Sequence, residues 1–370
     1  MTSVTATLIV RNEERFLPGC LESLRNSVDD IVIVDTGSTD DTIGIAHAAG
    51  VSVSAFQWNE DFSAARNAAL ARVSTPWTLY IDADERVSVP GNFHVGHWLD
   101  EALHVGGYVR FRPRPGYTRY REPRLFRTDP AIRFSGRMHE SIVPSVDAYA
   151  ASRGLTLATT PVCIDHYGFE GDQTHKIVRN IPLLEAEVEA NPGRAYCWYH
   201  LAEMLVLDGR LEQAISICRQ GLASASEVGS RKNILDRRLI AHTLVRILVE
   251  EDRDASDVLS RLLKDDPNDF VTLYLSARAS LRRGDNGYAL RIGRRLVAVE
   301  PDELQDSLTA YDVRLFGEFA WALIGAAHYQ AGRRAEAGEA YAQAMRLAPS
   351  NTAYLSKAVA LGARVSEASV

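Results

Sequence analysis

The stretch from Trp77 to Glu85 constrains the fold of this chain more than any other. It begins as a short apolar strand, entered through Pro76, and ends in three carboxylates within four residues. Alternate side chains share a face on an extended backbone, so Asp82 and Asp84 are expected to point together. Two carboxylates at the end of a strand can hold a hard divalent cation. Taken alone, the pattern fits an acidic turn after a buried strand equally well, so the flanking sequence decides.

The bulk composition excludes several classes of protein. The 370 residues suffice for two domains, each with its own core. A net charge of −7 argues against nucleic-acid binding, and four scattered cysteines without a Cys-x-x-Cys pair indicate reduced thiols. Met1 to Val10 lacks the features of a signal peptide, and no apolar run approaches the roughly 20 residues that span a bilayer. We therefore expect a cytoplasmic protein with no membrane span and no nucleic-acid partner.

Strands and helices alternate in the N-terminal part of the chain. Strands are predicted at Thr5–Val10, Ile31–Val34 and Val51–Phe56, where β-branched and apolar residues dominate. Between them, the apolar spacing predicts a helix from about Phe16 to Asn26, and a capping-box-like start at Ser38 predicts a second one. This alternation predicts a parallel sheet with helices on its faces.

Acidic residues cluster at the predicted C-terminal ends of three strands, which is where parallel sheets bind ligands. A helix cap or a solvated turn explains each cluster singly. Three clusters on one edge need a cation or hydrogen-bond donors to offset their mutual repulsion, so we predict a functional site there. The clusters are Glu13 with Glu14, Asp35, and Asp82 with Asp84.

Arg66 lies in the first turn of another predicted helix, which Ser63 is expected to cap and which runs from Ala64 to about Val73. The helix dipole disfavours a cation at this place unless an anion is close. A guanidinium here suits a nucleotide or its diphosphate. A salt bridge to Glu60 or Asp61 is the structural alternative.

Four motifs follow one another before Arg86: Leu8–Glu14 (LIVRNEE), Val34–Asp40 (VDTGSTD), Asp61–Ala68 (DFSAARNA) and Ile81–Glu85 (IDADE). In order and spacing they resemble the motifs of family 2 glycosyltransferases of the GT-A fold. The resemblance implies an inverting transferase that uses a nucleotide-diphosphate sugar, with UDP as the expected nucleotide. It also implies a divalent cation, Mn²⁺ or Mg²⁺.

The same resemblance implies roles for individual residues. Asp35 would contact the nucleotide base, and Glu13, with Arg11 beside it, would line the ribose pocket. Asp82 would face the ribose and Asp84 the metal ion. Arg11 stands where the family usually has a tyrosine, and this departure bears on which nucleotide base the site prefers.

A His-Glu pair late in the same domain is followed by a second histidine. This arrangement resembles the subgroup that contains lipopolysaccharide-core and peptide-thiol glycosyltransferases. Inverting transfer needs a base that takes the acceptor proton, and Glu140 is the candidate, with His139 and Asp165 as alternatives. His166 is a candidate metal ligand, because imidazole binds manganese-like ions.

Nine arginines fall between Arg110 and Arg137, and several alternate with apolar residues, which places them on strands. One face could hold an anionic donor or acceptor. A solvated strand face is the alternative.

The sequence switches to continuous helix from Gln173 onwards. A period of about 34 residues follows, the length of a helix-turn-helix unit of the tetratricopeptide (TPR) kind. We predict about four repeats between Ala195 and Asn351, with Gln305–Phe316 inserted before the last. The predicted fold class is therefore an α/β GT-A domain, Rossmann-like with a mostly parallel sheet, over residues 1–171. An all-α, TPR-like domain is predicted over residues 172–370.

Helical-repeat arrays present a concave surface to a peptide or partner subunit, or stack end to end as a dimer. We therefore expect a nucleotide-sugar donor and a peptide, protein or glycan acceptor. The repeats are expected either to bind the acceptor or to form a homodimer. A non-catalytic adaptor with a degenerate GT-A domain is one alternative; the intact Asp35, Arg66 and Asp82 argue against it. The other is a sugar nucleotidyltransferase, which would carry a glycine-rich phosphate loop after its first strand.

Overall fold

The computed structural model describes residues 2–168, 174–225 and 231–363. The chain divides into two units. One comprises Met1–Gln173 with Leu304–Ala310, and the other comprises Thr174–Glu303 with Tyr311–Val370. The domain boundary predicted between residues 171 and 172 lies outside the described residues. Within them, no helix combines the length and the apolarity that crossing a bilayer requires.

The first unit is an α/β domain. Its strands are β1 (Val4–Val10), β2 (Asp30–Asp35), β3 (Val53–Ala55), β4 (Trp77–Tyr80), β5 (Glu85–Ser88), β6 (His104–Arg112), β7 (Tyr120–Arg127) and β8 (Thr156–His166). Its helices are α1 (Leu17–Leu24), α2 (Thr42–Ala48), α3 (Phe62–Leu70) and α4 (Val143–Arg153), with 3₁₀ turns at Pro90–Asn92 and Val95–Trp98.

The strands form one sheet in the order β3-β2-β1-β4-β7-β6-β8-β5. β1 lies between β2 and β4 and runs parallel to both, β3 runs parallel to β2, and β6 runs parallel to β8. β7 is antiparallel to β4 and β6, and β5 is antiparallel to β8. The carboxyl ends of β1, β2 and β4 therefore meet at one edge. The predicted Rossmann-like, mostly parallel GT-A domain is confirmed.

The core of this unit is organised around β1, in which every residue from Val4 to Leu8 is buried. A strand covered on both faces requires such a run. Leu17 and Leu24 of α1 pack into the same apolar cluster as β1 and Trp77. A second cluster, which contains Phe126, joins β6, β7 and α4. The two clusters hold the sheet rigid, so that its carboxyl edge can position polar side chains.

The predicted start of α2 at Ser38 is wrong. The helix begins at Thr42, and Asp41 occupies the N-cap position without a side-chain hydrogen bond. Ser38 is used elsewhere: its N–H donates to the Asp35 carboxylate at 3.1 Å, and its hydroxyl accepts the N–H of Asn12 at 3.0 Å. A hydroxyl that is bound to the neighbouring loop does not cap a helix.

The predicted N-cap of α3 is also wrong. The helix begins at Phe62, and Asp61 caps it by accepting the N–H of Ala64 at 3.0 Å. Ser63 supports this cap by donating its hydroxyl to Asp61 at 2.7 Å. The carboxylate serves well here because it both accepts a hydrogen bond and interacts favourably with the helix dipole.

The second unit is all-helical. Its helices are α5 (Thr174–Ala190), α6 (Ala195–Leu207), α7 (Leu211–Ser224), α8 (Arg231–Glu250), α9 (Ser256–Asp265), α10 (Phe270–Arg282), α11 (Asn286–Val297), α12 (Glu318–Gln330), α13 (Arg334–Leu347) and α14 (Thr352–Ala360). Two 3₁₀ turns, Pro301–Leu304 and Val313–Phe316, lie between α11 and α12.

These helices pack in consecutive pairs, namely α6 with α7, α8 with α9, α10 with α11 and α12 with α13. Three of the connecting turns contain a glycine with positive φ: Gly209 at 76°, Gly284 at 80° and Gly332 at 76°. In the turn between α8 and α9, the corresponding positive φ of 56° is adopted by Asp252 and not by a glycine. Trp198 is buried and donates its indole N–H to the carbonyl of Pro192 at 2.9 Å. The predicted TPR-like architecture is confirmed.

The predicted insertion, Gln305–Phe316, is divided between the two units. Residues 304–310 belong to the first unit, where the carboxylate of Asp306 accepts two hydrogen bonds from Arg110, at 3.0 and 2.9 Å. The carbonyl of Ser307 accepts the N–H of Arg121 at 2.9 Å. The rest of the insertion belongs to the second unit.

Asp269 caps α10 inside the second unit and is 1% exposed. Its carboxylate accepts hydrogen bonds from the N–H of Thr272 at 2.8 Å and from its hydroxyl at 2.6 Å, and it lies 3.0 Å from His242 Nε2. Burial alone raises the pKa of Asp269, but the hydrogen bond and charge of His242 and the bonds from Thr272 outweigh burial and lower it. Because the folded pKa lies below the unfolded value of about 3.9, ionised Asp269 stabilises the fold above that pH.

We expect Asp269→Asn to lower the free energy of unfolding of the second unit by about 3 kcal/mol at pH 7, because it leaves a buried pair broken. The difference from wild type should shrink as the pH falls below about 3.9, where the unfolded carboxyl takes up its proton. Denaturant unfolding followed by helical circular dichroism at pH 7 and pH 3 measures both effects. Asp257→Asn, at an exposed position of α9, is the matched control. An equal loss at both pH values would contradict the assignment.

Candidate functional site

The acidic segment after β4 turns sharply at the carboxyl edge of the sheet. Ile81 still continues the strand, because its N–H donates to the carbonyl of Thr7 at 3.1 Å. The N–H of Glu85 then donates back to the carbonyl of Asp82 at 3.0 Å, which closes a turn. The backbone is therefore not extended here, and the carboxylates of Asp82 and Asp84 contact different partners.

Asp82 and Glu140 share one buried cation, the guanidinium of Arg66. Arg66 Nε donates to Glu140 Oε1 at 2.5 Å, and Nη2 donates to Asp82 Oδ1 at 2.9 Å. The guanidinium also lies over the rings of Tyr80 and Phe134, at 5.2 and 5.4 Å. Burial alone lowers the pKa of Arg66, but the two carboxylates outweigh it and raise the pKa above its usual value. The alternative ion pair with Glu60 or Asp61 does not form.

Two loops hold this cluster in place. Asn67, next to Arg66, exchanges hydrogen bonds of 3.0 Å with the backbone N–H and carbonyl of Phe134. Ser135 and Ser141 form an isolated bridge that closes the loop containing Glu140. His139 precedes Glu140 in this loop, is half-buried, and adopts φ 52°. The start of α3 and the Glu140 loop are thus fastened together around Arg66.

Asp84 pairs with His166, the last residue of β8. Asp84 Oδ2 lies 2.9 Å from His166 Nε2, and His166 Nδ1 lies 2.9 Å from the carbonyl of Pro113. A carbonyl can only accept, so Nδ1 carries the proton and Nε2 faces Asp84. Burial alone lowers the pKa of His166, but the hydrogen bond to Asp84 outweighs it and raises the pKa. Metal-ligating histidines commonly donate their other ring nitrogen in this manner.

The donor atoms of Asp84 and His166, one carboxylate oxygen and one imidazole nitrogen, are of the kinds that bind manganese-like divalent cations. The two facing atoms lie 2.9 Å apart and form a hydrogen bond. Among the described residues, no group of three or more His, Cys, Asp or Glu could hold a metal ion. Two protein ligands suffice where substrate phosphates and water complete the shell, which is how such ions are usually bound.

The loops after β1 and β2 bring the predicted nucleotide residues to the same edge. Asp35 is buried, and its carboxylate accepts the N–H of Gly37 at 2.9 Å. Asn12 adopts φ 58° and accepts the N–H of Thr39 at 2.7 Å, which ties the two loops together. Glu13 is half-buried beside this contact, and the neighbouring Arg11 is exposed.

Asp165, the alternative base, is paired with two arginines. Arg119 donates to its two carboxylate oxygens at 3.1 and 2.8 Å, and Arg112 lies 3.5 Å away. Glu140 is also paired, with Arg66, through its Oε1 atom. Both carboxylates therefore stay candidates for the base, and they differ in their arginine partners.

The buried pair of Glu85 and Arg124 was not anticipated from the sequence. Arg124 donates to both oxygens of Glu85 at 3.1 and 3.0 Å, and its guanidinium lies over the rings of Tyr80 and Phe111. Burial raises the pKa of Glu85, and Arg124 opposes that shift. The N–H of Asp82 donates to the same Glu85 carboxylate at 2.9 Å, so this pair shapes the acidic turn.

The arginine-rich stretch is divided between ion pairs and solvent. Arg110 binds Asp306, Arg119 binds Asp165 and Arg124 binds Glu85. The exposed members are Arg114, Arg133 and Arg137. Intramolecular ion pairing, which neither interpretation of the sequence included, therefore accounts for part of the stretch. The alternation of arginine with apolar residues was the available signal, but it does not name the acidic partners.

Known proteins share this arrangement of motifs. A family model described as "Glycosyl transferase family 2" matches residues 5–90. A TPR repeat-containing protein of Synechococcus elongatus is 32% identical over 314 residues, which cover 81% of this chain and 76% of that protein. The SPbeta prophage-derived glycosyltransferase SunS of Bacillus subtilis is 23% identical over 254 residues, covering 66% and 58%. The lipopolysaccharide core biosynthesis glycosyltransferase LpsC of Rhizobium meliloti is 32% identical over 178 residues, covering 44% and 65%. The resemblance predicted from the motifs is confirmed.

We expect Arg66→Met to destabilise the first unit by about 3 kcal/mol, because it leaves the largely buried Glu140 and the half-buried Asp82 without a cation. Thermal and denaturant unfolding measure the loss. Arg72→Met, at an exposed position just after α3, is the control that removes a guanidinium without touching the cluster. A stability equal to that of the control would show that Arg66 does not hold the site together.

Proposed function

The chain belongs to glycosyltransferase family 2 and carries TPR-like repeats, and from this premise we propose that it transfers sugar from a UDP-sugar. The proposed transfer is metal-dependent and inverting, and its acceptor is a peptide or protein. The observation that carries the proposal is the pair of clusters at the carboxyl edge of the sheet. Asp84 with His166 provides metal ligands, and Asp82, Arg66 and Glu140 form a charged group beside them.

Asp84 and His166 would hold Mn²⁺ or Mg²⁺ together with the diphosphate of the donor. When bound, such an ion stabilises the charge that develops on the leaving diphosphate, a contribution of several kcal/mol. Asp35, Glu13 and Arg11 line the neighbouring loops and would receive the base and ribose. Asp82 would orient the ribose while its other side stays bound to Arg66.

Arg66 has a positioning role in this proposal rather than direct contact with phosphate. Its Nε and Nη2 are already used by Glu140 and Asp82, and the residue is 8% exposed. The planar guanidinium of Arg66 therefore holds both Asp82, which would lie beside the donor, and Glu140, the candidate base. Glu140 would take the proton of the acceptor, with His139 next to it in the same loop.

The helical repeats support a peptide or protein as the acceptor. Arrays of this kind bind extended chains on their concave face or assemble with a partner subunit, and a homodimer is the second use. A non-catalytic adaptor fits less well. It would not require the Asp84–His166 and Asp82–Arg66–Glu140 clusters, which cost free energy to bury.

The direct test is turnover with a panel of nucleotide sugars. Purified protein with Mn²⁺ is incubated with UDP-, GDP- and dTDP-sugars, and release of the nucleoside diphosphate is followed with and without candidate peptides. Release from UDP-sugars that increases with a peptide supports the proposal. Release of nucleoside diphosphate from GDP- or dTDP-sugars alone would show that the donor is not a UDP-sugar. Formation of pyrophosphate from a sugar phosphate and a nucleoside triphosphate would favour a nucleotidyltransferase.

We expect Asp84→Ala to abolish metal-dependent turnover while the first unit stays folded, because Asp84 supplies a ligand and no apolar contact of the core. Isothermal titration of Mn²⁺ in the presence of UDP, together with thermal unfolding, separates the two effects. Asp147→Ala, which removes an exposed carboxylate from α4, is the control. Near wild-type turnover by Asp84→Ala in saturating Mn²⁺ would remove the metal assignment.

We expect Glu140→Gln to keep donor affinity and to lose about 10²–10⁴ in turnover, the usual contribution of a positioned general base. Glutamine keeps the shape of the side chain and can still accept the hydrogen bond from Arg66. Steady-state kinetics and titration with UDP measure the two quantities. Asp165→Asn, whose carboxylate is held by Arg119, should lose far less turnover. If Glu140→Gln instead loses donor binding, Glu140 belongs to the nucleotide site and is not the base.

A further inference from the structure

The turn after β8 folds tightly over Asp84. The N–H of Tyr167 donates to the backbone carbonyl of Asp84 at 2.9 Å, and the next residue is Gly168. A Cβ built on Gly168 would stand 2.7 Å from Asp84 Cγ and 2.9 Å from His166 Nε2, and closer still to Asp84 Oδ2. Real Cβ atoms do not approach other atoms that closely.

Position 168 requires a glycine because there is no room for a Cβ atom, and not because of its backbone conformation. Its φ lies outside the left-handed region, unlike Gly154 and Gly209, which adopt φ 65° and 76° and have no atom near a built Cβ. Glycines of the second unit that lack space, such as Gly221, face apolar side chains across a helix contact. Gly168 instead faces a carboxylate oxygen and an imidazole nitrogen, which are the two atoms assigned above to the cation.

The backbone of Asp84 is held in place, so an added methyl group would have to displace the Asp84 carboxylate. Its backbone carbonyl is held by Tyr167, and the carbonyl of the preceding Ala83 accepts a hydrogen bond from Arg86 at 3.0 Å. Its carboxylate is held by His166 at 2.9 Å. A side chain at position 168 would therefore separate the Asp84 carboxylate from the imidazole.

We propose that Gly168 is a positioning residue of the metal site: its missing side chain keeps the space between Asp84 and His166 open for a divalent cation and the diphosphate oxygen bound to it. The proposal rests on the function proposed above. It adds that any side chain at position 168 excludes the cation while both protein ligands remain in the sequence. Sequence motifs alone name Asp84 and His166, and only the fold places Gly168 against them.

The test is the affinity of the full-length protein for Mn²⁺ in the presence of saturating UDP, measured by isothermal titration and by the electron paramagnetic resonance of free Mn²⁺. Gly168→Ala should weaken Mn²⁺ binding at least about 10-fold, in the range that changes next to metal ligands produce. Gly193→Ala, at a glycine whose Cβ would meet no atom within 4 Å, is the matched control and should bind Mn²⁺ like wild type.

A double-mutant cycle keeps the proposal testable if Gly168→Ala is destabilised. In the wild-type background the added methyl meets the Asp84 carboxylate, so the melting temperature should fall. In the Asp84→Ala background that carboxylate is absent, and the same substitution should have a much smaller effect. Equal losses in both backgrounds would mean that the methyl disturbs the turn itself, and would overturn the proposal.

The outcomes separate this proposal from the one on which it rests. Wild type that binds Mn²⁺ with UDP, while Gly168→Ala does not, supports both. Equal Mn²⁺ affinity of wild type and Gly168→Ala overturns the role of Gly168 and leaves the metal site standing. Wild type that binds no Mn²⁺ with UDP overturns the metal site, and the role of Gly168 falls with it.

Discussion

The carboxyl edge of the sheet depends on the neutralisation of carboxylates that the fold brings close together. Strands β1, β2 and β4 end side by side, so their acidic residues would repel one another without cations or donors. The guanidinium of Arg66 resolves the central part of this conflict, because it binds Asp82 at 2.9 Å and Glu140 at 2.5 Å at once. A lysine could not do this equally well, since it lacks the planar fork that contacts two acids along separate N–H directions. This one side chain thereby links the Glu140 loop to the Asp82 turn.

The acids at this edge differ in the kind of partner they have, and this difference is the physical basis of the proposed cation site. Most are held by a permanent charge or by backbone amides within the chain. Asp84 is held by an imidazole, which is itself a good metal ligand and need not carry a charge. In the proposed metal site, a cation that enters between Asp84 and His166 would replace the hydrogen bond between them. The permanent pairs are Asp82 with Arg66, Glu85 with Arg124, Asp165 with Arg119, and Asp35 with the N–H groups of Gly37 and Ser38.

Local sequence patterns predicted most helices and strands, but they could not predict the ion pairs between residues that are far apart in the chain. The apolar run of β1, the spacing of Leu17, Leu21 and Leu24, and the glycines of the repeat turns each carry their signal within a few residues. The Arg124–Glu85 pair joins residues on two strands that are not neighbours in the sheet, so no local pattern contains it. The caps of α2 and α3 were misplaced for a related reason. Serine is a favourable N-cap residue, so Ser38 and Ser63 were reasonable predictions. In the structure, Ser38 binds the loop of Asn12, and Ser63 donates its hydroxyl to Asp61, which is the actual cap of α3.

The first unit is not continuous in the chain, since it comprises Met1–Gln173 and then Leu304–Ala310. A ribosome adds roughly 5–20 residues per second, so the second stretch emerges about 7–27 s after the first. During this interval Arg110 and Arg121 have been synthesised, but Asp306, whose carboxylate lies 2.9 Å from the first guanidinium and 3.6 Å from the second in the finished protein, has not. The nascent sheet therefore carries these two arginines, on β6 and β7, without Asp306 until most of the helical repeats have left the ribosome. Completion of the first unit is in this way tied to the synthesis of the repeats.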